Sequence, residues 1–599
     1  MAFFVNVIVV KTYPLEIDNY NYLFYFMYIR HINVKKCGKN HHYWALVESY
    51  RTEKGVRQRI VGYVGDITRK QAKELFQSAE RCDSYQTDFL SPEELPDKVE
   101  VAPKKIRTER QREFGGVWLG NKLFNKLGLD EFFKQQKCEN WLTIFKILTI
   151  SRFYHPSSEL YIAEHLYEHS AMEDLFGIPA AKVYDNRLYR GLDHLLVHKK
   201  ALERHLKERL GTLFDIKYDL FLYDVTSTYF EGEYAGSEIC QRGYSRDSRG
   251  DCKQICIGLV VTREGLPLGY EIFSGNTHDS TTVEHIVETM EKSYGSAQRI
   301  WVMDRGMVSE KNIEMFNESG RRYIIGTPKS SLKAFEKYLL DKDWREVHEG
   351  VEVKLCPSPD NAKEVFILCK SRDRAAKEKS MHDRFIKRIE DGIEKMKQTC
   401  EREAGKNITG KIERRIGRLL QQNSRGASFF TITTKYDPQK AMTVIEVKKD
   451  DGESHWKRTT EGYYLLRSNI TDWEAEQLWE AYIHLTDAED AFKINKSDLH
   501  LRPIWHKKDD RIKAHVFVCF IAFVLWKTFG MMCKNAGLGD EPRRVFNELK
   551  RICMIDVVLM TSDGKELKIR TVPRPEKPLQ TLLYHLKLNL PERLTKRGL

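Results

Sequence analysis

The chain is 599 residues long, 41% hydrophobic and 31% charged, the make-up of a soluble globular protein with room for roughly two to four domains. A net charge of +12 and an isoelectric point near 8.9 point toward a polyanionic partner and disfavour a glycosidase built on paired carboxylates. Twelve scattered cysteines with no C-x-x-C pair exclude a disulfide framework and a cysteine zinc site, and leave a reducing compartment as the default.

Residues 1–26 are rich in Tyr, Phe and Asn and show no useful period, so they read as an extension, with Met27 an alternative start. The apolar stretch AFFVNVIVV (2–10) has no basic residues before it and no small-x-small cleavage site, so it is not read as a signal peptide. Between 27 and 67, three short strands separated by the turns CGKN and RTEKG predict a small basic sheet. His41 and His42 lie there without further ligands at metal spacing. Residues 68–214 carry apolar residues at three- and four-residue intervals and predict a helical region with basic faces.

From 215 to 330 the period changes to that of strands. DLFLYDV, ICIGLVVT and LGYEIFS are followed by a helix near 280–292, the strand IWVMD, the helix SEKNIEMFNES and the strand RRYIIGT. Three strands, helix, strand, helix, strand is the order of a ribonuclease-H-like α/β fold, in which the first and fourth strands are neighbours. Residues 331–470 interleave short strands with a charge-dense helical stretch and read as a β-rich insertion. Helical pattern returns over 471–535, and 536–599 forms a C-terminal region with a hairpin around TSDGKE. The apolar run VFVCFIAFVLW (516–526) lies between His515 and Lys527, too short for a bilayer and suited to a buried core helix; no membrane partner is expected.

Two of the predicted strands end in an acid, Asp224 in FLYDVTSTYFEG and Asp304 in RIWVMDRG. Carboxylates brought close together stay ionised when a cation neutralises them, which favours Mg2+ or Mn2+ with oxygen ligands. A helical acid would complete such a site, and Glu489 is the candidate. Tyr482, Glu489 and Lys496 recur at seven-residue intervals, placing a phenol, an acid and an ammonium on one helix face beside Phe492. That stripe makes more sense as a metal ligand flanked by phosphate contacts than as core packing, the alternative being that Glu489, in the run DAED, simply faces water. The hydroxyls Thr226, Ser227 and Thr228 read as local turn bonding.

YDVTSTYFEG, WVMDRGM, Tyr482-x6-Glu489-x6-Lys496, LRPIWH, RIKAH and GYSRDSRGDCKQICIGLVV together resemble a DDE-type insertion-sequence transposase, more narrowly the insertion-sequence-four superfamily. The resemblance runs from about Met27 to the C-terminal helices. It implies a catalytic triad of Asp224, Asp304 and Glu489, holding two Mg2+ or Mn2+ ions about 4 Å apart. Tyr482 and Lys496 become DNA contacts in the family's Tyr-x2-Arg-x3-Glu-x6-Lys signature. The Arg position of that signature is Leu485 here, and Arg502, just beyond the helix, is an alternative source of the cation. The implied partners are double-stranded DNA, as terminal inverted repeats and target, and a second copy of the chain on that DNA. The implied location is cytoplasmic, on the nucleoid. The helices of 68–214 are then a DNA-binding region. Two other readings use the same residues: a ribonuclease-H-like nuclease that cuts without joining ends, and a DNA-binding derivative that no longer cleaves.

Overall fold

In the computed structural model, residues 7–15, 23–36, 39–52, 55–65, 87–89 and 98–591 are described, apart from 235, 296–298, 340, 342 and 450–455. The chain forms two units. One comprises residues 217–227 and 256–490, the other 1–216, 228–255 and 491–599.

The first of these units is organised on a nine-stranded sheet. Its strands in chain order are β1 Leu220–Tyr229, β2 Gln254–Val261, β3 Pro267–Ser274, β4 Ile300–Met303, β5 Arg322–Gly326, β6 Arg345–His348, β7 Val351–Pro357, β8 Val365–Ser371 and β9 Tyr463–Ser468. In space the order is β6-β7-β8-β9-β5-β4-β1-β2-β3. β1, β4 and β5 run parallel, while β9 is antiparallel to both β5 and β8. All eight residues of β2 are buried, which is why QICIGLVV is a continuous apolar run rather than an alternating one.

Helices α1 Val283–Tyr294 and α2 Glu310–Glu318 cover one face of this sheet. α1 buries Val283, Ile286, Val287, Met290 and Tyr294, an i, i+3, i+4, i+7 stripe. Against it lie the odd-numbered residues Phe221, Tyr223 and Val225 of β1, Trp301 and Met303 of β4, and Tyr323 and Ile325 of β5. Strand alternation therefore sends the even-numbered residues of these three strands to the opposite face. β1 does not stop at Asp224, as its sequence suggested, but continues to Tyr229 with Thr226, Ser227 and Thr228 buried. Three β-prone hydroxyl residues extend the ladder instead of turning out of it.

The region read as a β-rich insertion is more varied. Strands β6 to β9 join the large sheet itself. Between β8 and β9 come α3 Arg372–Arg402, α4 Thr409–Gln422 and a ribbon of Phe430–Asp437 with Met442–Lys449. These share a core of their own, in which Ile389, Ile393, Met396 and Cys400 of α3 meet Ile412 and Ile416 of α4. Next in the chain are α5 Ala475–Ile483 and α6 Leu485–Lys493. The single helix expected around Glu489 is thus broken at His484, and it ends in a π-turn, Ile494–Asp498. A π-turn advances the chain by a different angle from an α-turn, so the strict seven-residue face does not persist to Lys496.

The second unit opens with a four-stranded antiparallel sheet, Val7–Leu15, Leu23–Lys36, Lys39–Thr52 and Gly55–Gly65. The supposed extension therefore contributes a strand, for which VIVV is an adequate β-branched seed. The helix anticipated at TRKQAKELFQSAERC lies outside the described residues. Helices Gly115–Lys126, Glu139–Tyr154 and Asp185–Leu195 pack around the 27-residue helix Asp509–Asn535. That helix is long and apolar enough to cross a membrane, but 78% of its most apolar window is buried within the protein, as a core helix should be.

Candidate active site

Register brings the first two acids together. Tyr223 of β1 pairs with Met303 of β4, and Met303 pairs with Ile325 of β5. One residue further on, Asp224, Asp304 and Gly326 come side by side, on strands that parallel pairing holds ~4.8 Å apart. All three are even-numbered, so they occupy the face away from α1 and α2. Asp304 directly follows the last residue of β4. Asp224 sits within β1, its Oδ1 accepting from the Val225 backbone N–H at 2.7 Å.

The opposite face is covered by α5, which packs on β4, β5, β7 and β8. A reciprocal capping box between Glu474 and Gln477 fixes where this helix starts. Near its end, Tyr482 lies over Gly326: a Cβ at that glycine would come 2.6 Å from the phenol oxygen and 3.2 Å from the Arg305 nitrogen. Only a residue without a side chain lets the tyrosine approach the strand so closely. Burial raises the phenol's pKa far above its usual value, and the charges of Asp304 and Glu489 raise it further, so the hydroxyl keeps its proton.

Glu489 follows on α6, with much of its surface exposed. Partial desolvation raises its carboxyl above the ordinary glutamate range, and then Asp304 and Asp490 raise it more. Glu489 and Asp304 are therefore electrostatic neighbours, and both act on Tyr482. The position where the signature calls for arginine, Leu485, is buried and apolar. A cation near the phenol comes instead from Arg374 of α3, which acts on Tyr482 and lies 4.8 Å from the centroid of the Tyr464 ring. Nothing in a run of charges such as SRDRAAKEK distinguishes Arg374 beforehand. Asp279 was likewise missed; its Oδ2 would be 3.2 Å from a Cβ placed on Gly306.

Lys496 and Arg502 belong to the other unit, where they meet at Asp247. Lys496 Nζ donates to Asp247 Oδ1 at 2.9 Å, and Arg502 Nη1 pairs with the same oxygen. Burial lowers the Lys496 ammonium's pKa, Asp247 opposes that shift, and Arg502 and Arg246 add to it. Arg249 and Arg502 stack on Tyr229, at 4.8 and 6.0 Å from the ring centroid.

The histidines of LRPIWH and RIKAH, His506 and His515, belong to a buried network in this unit. His506 Nε2 lies 3.4 Å from Glu159 Oε1, with His515 beside them, all three buried. Burial pushes the Glu159 carboxyl up, but the hydrogen bond and charge of His506 and the charge of Arg152 prevail and hold it at about 2. Arg152 also donates to the carbonyls of Leu499, His500 and Ser157. The network ties the segment after the π-turn to the helical core, and the nearby guanidinium disfavours a bound cation there.

Among known proteins, the family described as "Transposase DDE domain" matches residues 217–525, a little over half of the chain. A second family, "IS1634 family transposase, N-terminal domain", matches residues 29–87. The cryo-EM structure of a piggyBac transposase synaptic complex with hairpin DNA matches with a TM-score of 0.34 and 8% identity, over 68% of this chain and 69% of that chain. No curated protein matches.

Proposed function

The chain belongs to the DDE transposases of insertion sequences, enzymes that cleave DNA and transfer strands, and we propose that Asp224, Asp304 and Glu489 carry this chemistry. The observation that carries the proposal is the even-face register of Asp224 and Asp304, joined by a Glu489 carboxyl that Asp304 perturbs. The order β3-β2-β1-β4-β5, with β1, β4 and β5 parallel, supports the ribonuclease-H-like reading of this half of the sheet.

The family uses divalent metal ions, and the carboxylates of Asp224, Asp304 and Glu489 would be the hard oxygen donors that Mg2+ or Mn2+ prefers. When bound, two such ions supply the Lewis acidity for in-line displacement at a phosphodiester. The chain's own groups do the rest. Thr226, Ser227 and Thr228 are buried, with 5%, 1% and 0% of their surface exposed, so no hydroxyl nucleophile is offered and the attacking group is water or a DNA 3′ hydroxyl. Tyr482, kept protonated, donates to a phosphate oxygen. Lys496 and Arg502 hold the DNA backbone.

The substrates are the element's terminal inverted repeats and a target duplex. The strands of 27–67 and the helices of 68–214 recognise the ends, and two copies assemble on them in the cytoplasm at the nucleoid. The test is to supply DNA ending in the repeats that flank the gene, a supercoiled target and Mg2+, and to look for joined products. Cut ends without joining would make the protein a nuclease. Binding without cleavage would make it an inactive derivative.

A further inference from the structure

The loop GYSRDSRGDCK (243–253) is not accounted for by the triad, yet it holds the most enclosed acid near the DNA-contact cations. The Asp247 side chain is 5% exposed. Its Oδ1 serves both Lys496 and Arg502, while its Oδ2 is buried with no hydrogen-bond partner among the described residues. A buried carboxylate with one oxygen unbonded is costly unless it does something for its neighbours.

An ammonium has three donors and a guanidinium five. Sharing one carboxylate oxygen occupies a single donor of each and sets the two cations side by side, and a bridging phosphate would engage the remaining N–H groups of side chains that are 10% and 29% exposed. We propose that Asp247 is a positioning residue for DNA binding: it fixes Lys496 and Arg502 as a pair that grips a phosphodiester of the DNA backbone. The proposal rests on the transposase reading for the identity of the ligand, although not for the pairing itself.

The charges around Lys496 support it. From the loop come Asp247 and Arg246, and from the segment after the π-turn comes Arg502. The π-turn's own acid, Asp498, is engaged by Arg543. The helix Asp509–Asn535, which packs on the turn, brings His515, whose ring nitrogen is 3.3 Å from the Leu501 carbonyl oxygen and whose pKa burial holds well below the usual value, so it is neutral. Asp247 is thus the acid that opposes burial and the two arginines. Without it the ammonium loses its proton at a lower pH, and the pair loses half its charge.

The experiment compares Asp247→Asn and Asp247→Glu with the wild type in two ways. First, a 13Cε-lysine NMR titration of the DNA-free protein follows Lys496, assigned through Lys496→Arg. Second, affinity for terminal-repeat DNA is measured from pH 7 to 9.5 at fixed salt. We expect Asp247→Asn to move the Lys496 midpoint down by about one unit or more, and its DNA affinity to fall about tenfold across that range. Asp247→Glu should restore both. An unchanged Lys496 midpoint in Asp247→Asn, or tighter DNA binding at every pH as loss of a repelling charge alone would give, overturns the proposal. A wild type that neither cuts nor joins DNA, with the midpoint shift intact, would refute the transposase reading while supporting the pairing.

Discussion

Two charged clusters in this protein are built on opposite plans. On α6, partial burial raises the Glu489 carboxyl, and the like charges of Asp304 and Asp490 raise it further. Around Asp247, two cations share one buried carboxylate oxygen, which holds them side by side and leaves a net positive charge. Clustered acids cost free energy in the folded state and are relieved by an added cation, whereas two cations held by one carboxylate keep a positive excess that an added anion relieves. The first plan suits chemistry that recruits metal ions. The second suits a surface that must present positive charge in a set geometry.

The sharpest way to break that contrast is to delete one member from each cluster. Asp304→Ala should lower Mg2+-dependent cleavage of terminal-repeat DNA by at least about a thousandfold while changing DNA affinity less than about threefold, since chemistry rests on few ligands and binding on many phosphate contacts. Lys496→Met should do the reverse in kind, weakening binding and reducing the slope of log K against log salt by about one. Paired single-turnover and binding measurements check both. Equal losses of affinity in the two variants would mean that the clusters do not divide the work in this way.

This division was half legible in the sequence. Asp224 and Asp304 could be found because each interrupts an apolar strand, and register then makes them neighbours. Glu489 was proposed from its spacing to Tyr482 on one helix, which the structure breaks at His484. The continuation of β1 through Thr226 to Tyr229 was not, because hydroxyl residues read as a turn until a neighbouring strand is there to bond them. Strands β6 to β8 looked like part of a separate insertion because nothing local says that β9, nearly a hundred residues later, docks them on β5. Asp247 looked like one acid in a polar loop, since burial of a loop carboxylate depends on cations far along the chain. Gly326 and Arg374 act through Tyr482, a contact between distant segments that no local period reveals.

The glycine offers a smaller and more specific test of the acid face. Gly326→Ala puts a methyl group 2.6 Å from the Tyr482 oxygen, so the phenol must shift. Cleavage should fall roughly tenfold, as expected when a positioned group moves by a fraction of an ångström or more. Tyr482→Phe, which removes the clashing oxygen, should make the added methyl nearly silent. The double variant should then cleave about as well as Tyr482→Phe alone, a non-additivity expected only of residues in contact. Fully additive losses would separate Gly326 from the tyrosine.

A third, broader surface tests whether uncompensated positive charge elsewhere also serves DNA. Lys387, Lys395 and Lys397 on α3 and Arg414 on α4 are exposed, on helices whose apolar residues are spent on their mutual core. Exchanging these four for glutamate should make the salt dependence shallower by about two in log–log slope if roughly half of them meet phosphates. A slope equal to the wild type would assign these helices to solvent, leaving the Asp247 cluster as the better-founded DNA contact.

The smallest expected effect follows from the raised carboxyl of Glu489. In the unfolded chain a glutamate ionises near pH ~4.3. In the folded protein Glu489 ionises at a higher pH, so as pH rises through the interval the unfolded state loses its proton first and folding stability declines. The penalty is absent below the unfolded value and complete above the folded one. Glu489→Gln carries no ionisable group and escapes it. In metal-free buffer at pH 7.5 the variant should therefore melt on the order of 1 °C above the wild type, a modest gain because the side chain is largely exposed and solvent screens the repulsion. At pH 4 the two should melt together. Adding Mg2+ should reverse the order at pH 7.5, since a cation stabilises the ionised wild-type cluster more than one with a neutral amide in it. A variant that melts lower than the wild type without metal at pH 7.5 would show that Glu489 is held by an attractive partner, and the contrast between the two clusters would fail at its central residue.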